Sequence, residues 1–265
     1  NTIFSRHQSQ VTSGTGEEVI EPKVLEIVTY TTALTSTSLI NANSYFSTPS
    51  KQVTGALWVS PLGNDTTGTG TELNPVATIY KAMTLTGTDI YVKSGSYNTN
   101  STYILTTKNV TGVGFVDLTN QNSASYAFLV NAPLNITRIK MTQVTADNYF
   151  SYNAGTNNLV LSKIYTSGVK TFCLASTGTG SLTVQNSVIL TTGGTNEMFT
   201  LNISTTTFNN NYLNDASSDR IFSQTSTSGS LSTTIIYNKI LSPTGSNIYR
   251  TTKDHIILDI NYNNF

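Results

Sequence analysis

Residues 171–210 read TFCLASTGTGSLTVQNSVILTTGGTNEMFTLNISTTTFNN, and the fold turns on how Phe172, Val184, Phe199 and Phe208 are spaced within them. Phe172 and Phe199 belong to one series of bulky residues, Phe128, Phe150, Phe172, Phe199, Phe222 and Tyr249, with gaps of 22, 22, 27, 23 and 27. Val184 and Phe208 belong to a second, Ile136, Leu161, Val184, Phe208, Ile236 and Ile260, with gaps of 25, 23, 24, 28 and 24. Two interleaved series of that period, held while the residues between them vary, mark a solenoid whose coils stack over a shared core. Gly178-Thr179-Gly180, Thr192-Gly193-Gly194 and Ser228-Gly229-Ser230 supply turns. Asn186, Asn210 and Asn238 each fall two places after the second series, where stacked amides hydrogen-bond from coil to coil.

Composition agrees. The 265 residues hold 37% hydrophobic and only 11% charged side chains, with 14 basic and 14 acidic groups in balance. Thr, Ser, Asn and Gly dominate the rest, a strand-and-turn vocabulary. A neutral chain lacks the basic surface by which nucleic acid is gripped. No segment has the length and apolarity of a membrane-spanning helix, and no signal peptide opens the chain. The first residue is Asn1 rather than Met, so upstream sequence is expected to have been processed or cut away. A lone Cys173 rules out an internal disulfide; it is expected as a structural thiol, with a nucleophile as the alternative. His7 and His255 are isolated and read as surface or turn residues, and no cofactor or metal site is expected.

The repeat is absent from residues 1–56, which are expected to form an extended arm or linker to an assembly, the alternative being a flexible tail. From residue 57 to 265 the chain is a single β domain. It opens with Leu57-Trp58-Val59-Ser60, a turn at Gly63-Asn64-Asp65, a further turn through Gly70-Thr71, and Asn74-Pro75. Val76, Ile79, Ala82 and Met83 then share a helical face, placing a helix over about 75–84. Asp89-Ile90-Tyr91-Val92 follows as a strand ended by a turn at Gly95, before Tyr97.

This order of motifs resembles the N-terminal signature of the pectin-lyase-like right-handed parallel β-helices. The resemblance covers about 40 residues. It implies an all-β, right-handed, single-stranded parallel β-helix with a short capping helix over its first coil. A lid is needed, because an open solenoid end exposes unpaired backbone and apolar side chains. At the other end the chain stops at Phe265, partway through a coil, where a partner or a trimer of copies is expected.

Because many proteins of that kind cleave polysaccharides, acidic side chains on neighbouring coils bear on function. Lys170, Glu197 and Arg220 fall two places before the first series and alternate in sign, as a cross-coil salt ladder does. The catalytic alternative takes Glu197 and Asp219 as a carboxylate pair with Lys170 and Arg220 alongside. No column holds three acids, so the resemblance carries the fold and no catalytic residue. Asn64-Asp65 with Glu72 offers oxygen ligands for calcium, though Asn-Asp more simply bonds its own backbone in a turn. Asp147, Tyr149 and Tyr152 are candidate ligand contacts, and Tyr97, Tyr103 and Tyr126 are further rings able to stack on sugars.

The expected function is therefore a non-enzymatic structural or adhesive β-helix of a virion or cell surface, outside the cell. It would touch a glycan or protein with a rigid face and join other structural proteins through its arm. The alternatives are a polysaccharide lyase or glycoside hydrolase, and a purely architectural capsid component.

Overall fold

The computed structural model describes residues 55–99, 102–120, 126–143, 148–152, 158–167, 171–191, 197–215, 221–224, 231–241, 249–251 and 256–261. The expected arm thus lies outside the described residues, apart from Gly55 and Ala56. The described part is a parallel β-solenoid with three faces.

Face A stacks β1 (Leu57–Val59) and the first halves of β2 (Asp89–Asn98), β4 (Lys108–Asn120), β6 (Leu134–Gln143) and β8 (Asn158–Ser167). It continues through the second halves of β9 (Thr171–Gln185) and β11 (Phe199–Asn209) to β14 (Leu231–Ile236) and β17 (Ile256–Asn261). Face B takes the second halves of β2, β4, β6 and β8, then β10 (Val188–Thr191), β12 (Tyr212–Asp215) and β15 (Lys239–Leu241). Face C takes β3 (Thr102–Ile104), β5 (Tyr126–Val130), β7 (Asn148–Tyr152), the first halves of β9 and β11, β13 (Phe222–Gln224) and β16 (Tyr249–Thr251). Every pairing between these strands is parallel, as successive coils of one winding chain require.

Two columns of the core each correct the sequence reading by one residue. On face A, Ile90, Val110, Ile136, Leu161, Val184, Phe208 and Ile235 stand in register, each at most 2% exposed. Ile235, not Ile236, continues the column, and Ile260 pairs with it. On face C, Phe128 stacks on Phe150 and Phe199 on Phe222, with ring centroids 5.4 and 5.6 Å apart. Cys173, not Phe172, holds the register position between Phe150 and Phe199. Spacing alone cannot choose between two adjacent apolar residues, whereas the pleat gives alternate residues to opposite faces, so a slip of one changes sides. Each buried ring removes enough apolar surface from water to stabilise the fold by about 1.5–3 kcal/mol.

Where face A turns into face B, five non-glycine residues occupy the left-handed region: Arg138, Lys163, Asn186, Asn210 and Tyr237, with φ between 52° and 60°. Register places them one above another, forming a corner ridge. The conformation costs about 1–2 kcal/mol for an ordinary side chain and less for Asn. Asn210 Nδ2 donates to Asn186 Oδ1 at 2.9 Å, the amide ladder expected from the sequence. Asn238 does not join it. It stands one register step further on, in an inner column with Ser187 and Asn211, all three at most 3% exposed.

That inner column caps the backbone across coils. Ile164 N donates to Ser187 Oγ, Ser187 N to Asn211 Oδ1 and Asn211 N to Asn238 Oδ1, at 3.1, 3.0 and 2.9 Å. Asn211 Nδ2 also donates to the Val184 carbonyl and to Asn238 Oδ1.

The lid is shorter than expected. Helix α1 is Ile79–Thr84, burying Ile79, Ala82 and Met83, and its N-cap Thr78 accepts from Lys81 N at 3.1 Å. Val76 is extended, bridging Val59 through hydrogen bonds to Trp58 O and from Ser60 N, so the helix cannot start at Pro75. Gly63 and Gly68 are required by close approach: a Cβ would fall 2.3 Å from Val76 O and 2.2 Å from Asn64 O. The expected strand end at Gly95 is a register shift within β2, which runs on to Asn98.

Asp65 ties lid to turn, accepting from Ala77 N, Thr78 N and Thr78 Oγ1 at 2.8, 3.0 and 2.7 Å. Burial alone would raise its carboxyl, but the Thr78 hydroxyl, the two N–H groups and Lys81 outweigh that and hold it below the ordinary 3.8. A depressed carboxyl adds stability above its unfolded value, lost as pH falls through the folded one. Asp65→Asn is therefore expected to destabilise the lid by about 1–2 kcal/mol at neutral pH. Urea denaturation followed through Trp58 fluorescence should show that difference shrinking below pH 3.8.

Candidate functional site

The sequence-derived catalytic candidates are not brought together within the described residues. Lys170, Asp219 and Arg220 lie outside them, as does Asp147. Glu197 is half-buried just before β11 and has partners of its own. Tyr149 does not face a ligand: it is fully buried, its ring is 5.9 Å from that of Phe128, and its hydroxyl donates to Leu118 O at 2.8 Å. Burial pushes that phenol well above its ordinary value. Tyr97 is likewise core, donating to Lys93 O at 2.6 Å. Tyr126 is half-buried at the start of β5, and Tyr152 ends β7 in register with Val130 and Ala175. The Asn64-Asp65 pair is a turn: Asn64 Oδ1 accepts from Thr66 N and Thr67 N, and Asp65 is occupied by the lid. Among the described residues no three His, Cys, Asp or Glu side chains converge as a metal site.

Three surfaces have chemistry to offer. Outside face A, the pleat turns out two columns. One runs Asp89, Asn109, Asn135, Val160, Thr183, Thr207 and Thr234; the other runs Trp58, Tyr91, Thr111, Thr137, Ser162, Gln185 and Asn209. Asn135 donates to Asn109 and Asn109 to Asp89, at 2.6 and 2.8 Å, so the amides are pre-aligned. At the lid end Trp58 and Tyr91, both half-buried, stack with centroids 5.2 Å apart and planes 27° off parallel, and Lys93 Nζ lies 5.3 Å from the Trp58 ring. Sequence reading used Trp58 and Tyr91 only as parts of a motif. The signal was present, since each immediately precedes an inward valine and must point out.

The second surface is a cavity of about 680 Å³ beneath α1, lined in part by Tyr80, Met83, Leu85, Leu105 and Lys108. Lys108 is 2% exposed, and its ammonium donates to the Leu85 and Gly87 carbonyls, fastening the chain that leaves the helix. Burial lowers its pKa. The third surface is the corner ridge and the outward column of face B beside it, Asp117, Lys140, Tyr165, Val188, Tyr212 and Lys239.

Compared with known proteins, the chain matches no family model, no curated protein and no solved structure.

Proposed function

We propose that this chain is a pectin-lyase-like β-helix serving as a non-enzymatic rod of a virion or cell surface, holding a rigid face toward glycans. The single observation that carries the reading is the outer surface of face A. There a half-exposed Trp58–Tyr91 pair adjoins regular columns of Asn, Thr and Ser fixed to a buried core. Aromatic faces stack on the apolar side of a sugar ring, and short hydroxyl and amide groups bond its rim. Because the columns ride on buried strands, little side-chain or backbone freedom is lost on contact. The lid supports the family reading, since Gly63, Asp65, Pro75 and Ala82 of the shared signature each perform a packing or hydrogen-bonding task there.

A microarray of neutral and acidic glycans probed with the purified chain tests this. Binding to at least one class is expected, and Trp58→Ala with Tyr91→Ala should weaken a ligand held by face A about tenfold, the loss of one to two kcal/mol of stacking. A chain that binds no glycan on the array does not have this function.

A further inference from the structure

We infer that the cavity beneath the lid helix is a binding site for a small amphiphilic monocarboxylate of the fatty-acid kind, its tail against the apolar wall and its carboxylate toward Lys108. This site is separate from face A and involves no glycan, so it goes beyond the display reading.

The cavity holds about 680 Å³, within the range of about 300–1,000 Å³ that small-molecule sites occupy. Its two sides follow from the path of the chain. Helix α1 ends at Thr84, and Leu85 leaves it in an extended conformation, its N–H donating to Ala82 O. Residues 84–88 form one side, and the turn 105–107 between β3 and β4 forms the other. Lys108 bridges them, its ammonium donating to Leu85 O and Gly87 O at 2.8 and 2.5 Å. At the other end of the lid Asp65 holds Thr78, so the walls are set before a ligand arrives.

Charge is the first property that selects the ligand. An ammonium has three donors, and two of these are spent on carbonyls. Among the described residues no carboxylate pairs with Lys108, and at 2% exposure water solvates it little. Burial depresses its pKa, as it does for an ammonium short of compensation. A carboxylate in the cavity supplies the countercharge and the third acceptor where screening is weak. Thr88 and Thr107 line the same cavity beside the clamp and add hydroxyl donors. One cation with one unspent N–H matches a single carboxylate, whereas a phosphate monoester carries about twice that charge.

Apolar surface is the second. Tyr80 and Leu105 line the cavity yet are 56% and 72% exposed, large side chains that the fold itself leaves in water. Met83 and Leu85 complete the wall, and an unbranched thioether adapts to tails of different shape. Each methylene that this wall covers raises affinity about fourfold. A sugar would instead turn hydroxyls toward Met83, Leu85 and Leu105, which cannot bond them.

Isothermal titration calorimetry of the full chain with hexanoate, octanoate and decanoate, each below its micelle concentration, tests the site. One molecule is expected per chain, with affinity rising up to about fourfold per added methylene. Decanoate should bind at least tenfold tighter than decanol or decylamine. Lys108→Met keeps the buried stem, removes the charge and should lower decanoate to the affinity of decanol. Leu105→Ser, at an exposed turn position, should weaken decanoate about tenfold. If Lys108→Met loosens the lid, seen as a shifted Trp58 emission, the chain-length series and Leu105→Ser decide alone. Failure of all three acids to bind, equal affinity for decanoate and decanol, or no loss in Leu105→Ser overturns the site. Tighter binding of octyl phosphate than of octanoate overturns the carboxylate assignment. None of these outcomes bears on the glycan array, which probes face A.

Discussion

Asn211→Ala is expected to destabilise the solenoid by about 3–5 kcal/mol, although it deletes only a small polar group. The side chain is 3% exposed and is the middle member of a column that caps backbone across coils. Removing it strips the partner from Ser187 N and one donor from the Val184 carbonyl, and takes a bond from Asn238 Oδ1. The Ser187 N–H left without a partner costs about 1–3 kcal/mol, and the two lost Asn211 Nδ2 bonds add about 1 kcal/mol each. Asn210→Ala, one residue away on the outer ridge, loses the bond to Asn186 and meets left-handed strain, for about 1–2 kcal/mol. Guanidinium denaturation followed by circular dichroism should rank the two in that order. Asn211→Ala combined with Asn238→Ala should cost less than the sum, because Asn211 and Asn238 share a bond. A loss below 1 kcal/mol for Asn211→Ala would mean that the column relaxes and the caps are not structural.

The solenoid was legible because bulky inward residues must recur once per coil whatever the loops do. Its lid was legible because close approach forces Gly63 and Gly68 and because Asp65 has a fixed task. Register was harder. At Phe172-Cys173 and Ile235-Ile236 two adjacent residues are both apolar, so spacing could not say which faces in, and hydrogen-bond pairing decides. The asparagines misled for a related reason: Asn210-Asn211 offers two amides where one was counted, and the inner one carries the caps. Lys108 was invisible, since a lysine in a polar stretch gives no sign that its ammonium will close two carbonyls under a helix. The outward columns of the corner ridge and face B were least legible of all. Members of one column share no packing constraint and lie more than twenty residues apart until the coils stack. The catalytic candidates Lys170, Asp219 and Arg220 lie outside the described residues.

Phe208→Ala should rival Asn211→Ala in size, at about 3–5 kcal/mol, for an entirely apolar reason. Its ring lies 4.8 Å from Phe199 and 4.7 Å from Phe222, crossing from the face A column to the face C column. Truncation removes the buried surface of the ring, the tilted aromatic contacts worth about 0.5–1.5 kcal/mol each, and leaves a cavity that Val184 and Ile235 are too rigidly placed to fill. Phe208→Leu keeps most of the volume and should cost roughly half as much. The location of the damage is as informative as its size. Coils of a solenoid contact only their neighbours, so the loss acts on the interfaces of β9, β11, β13 and β14 and decays along the stack. Hydrogen exchange in Phe208→Ala should therefore accelerate across residues 181–236 while Ile90, Val92 and the lid helix stay protected. Uniform acceleration through the lid would show instead that the coils unfold as one cooperative unit, and would make a face anchored at one end sensitive to substitutions at the other.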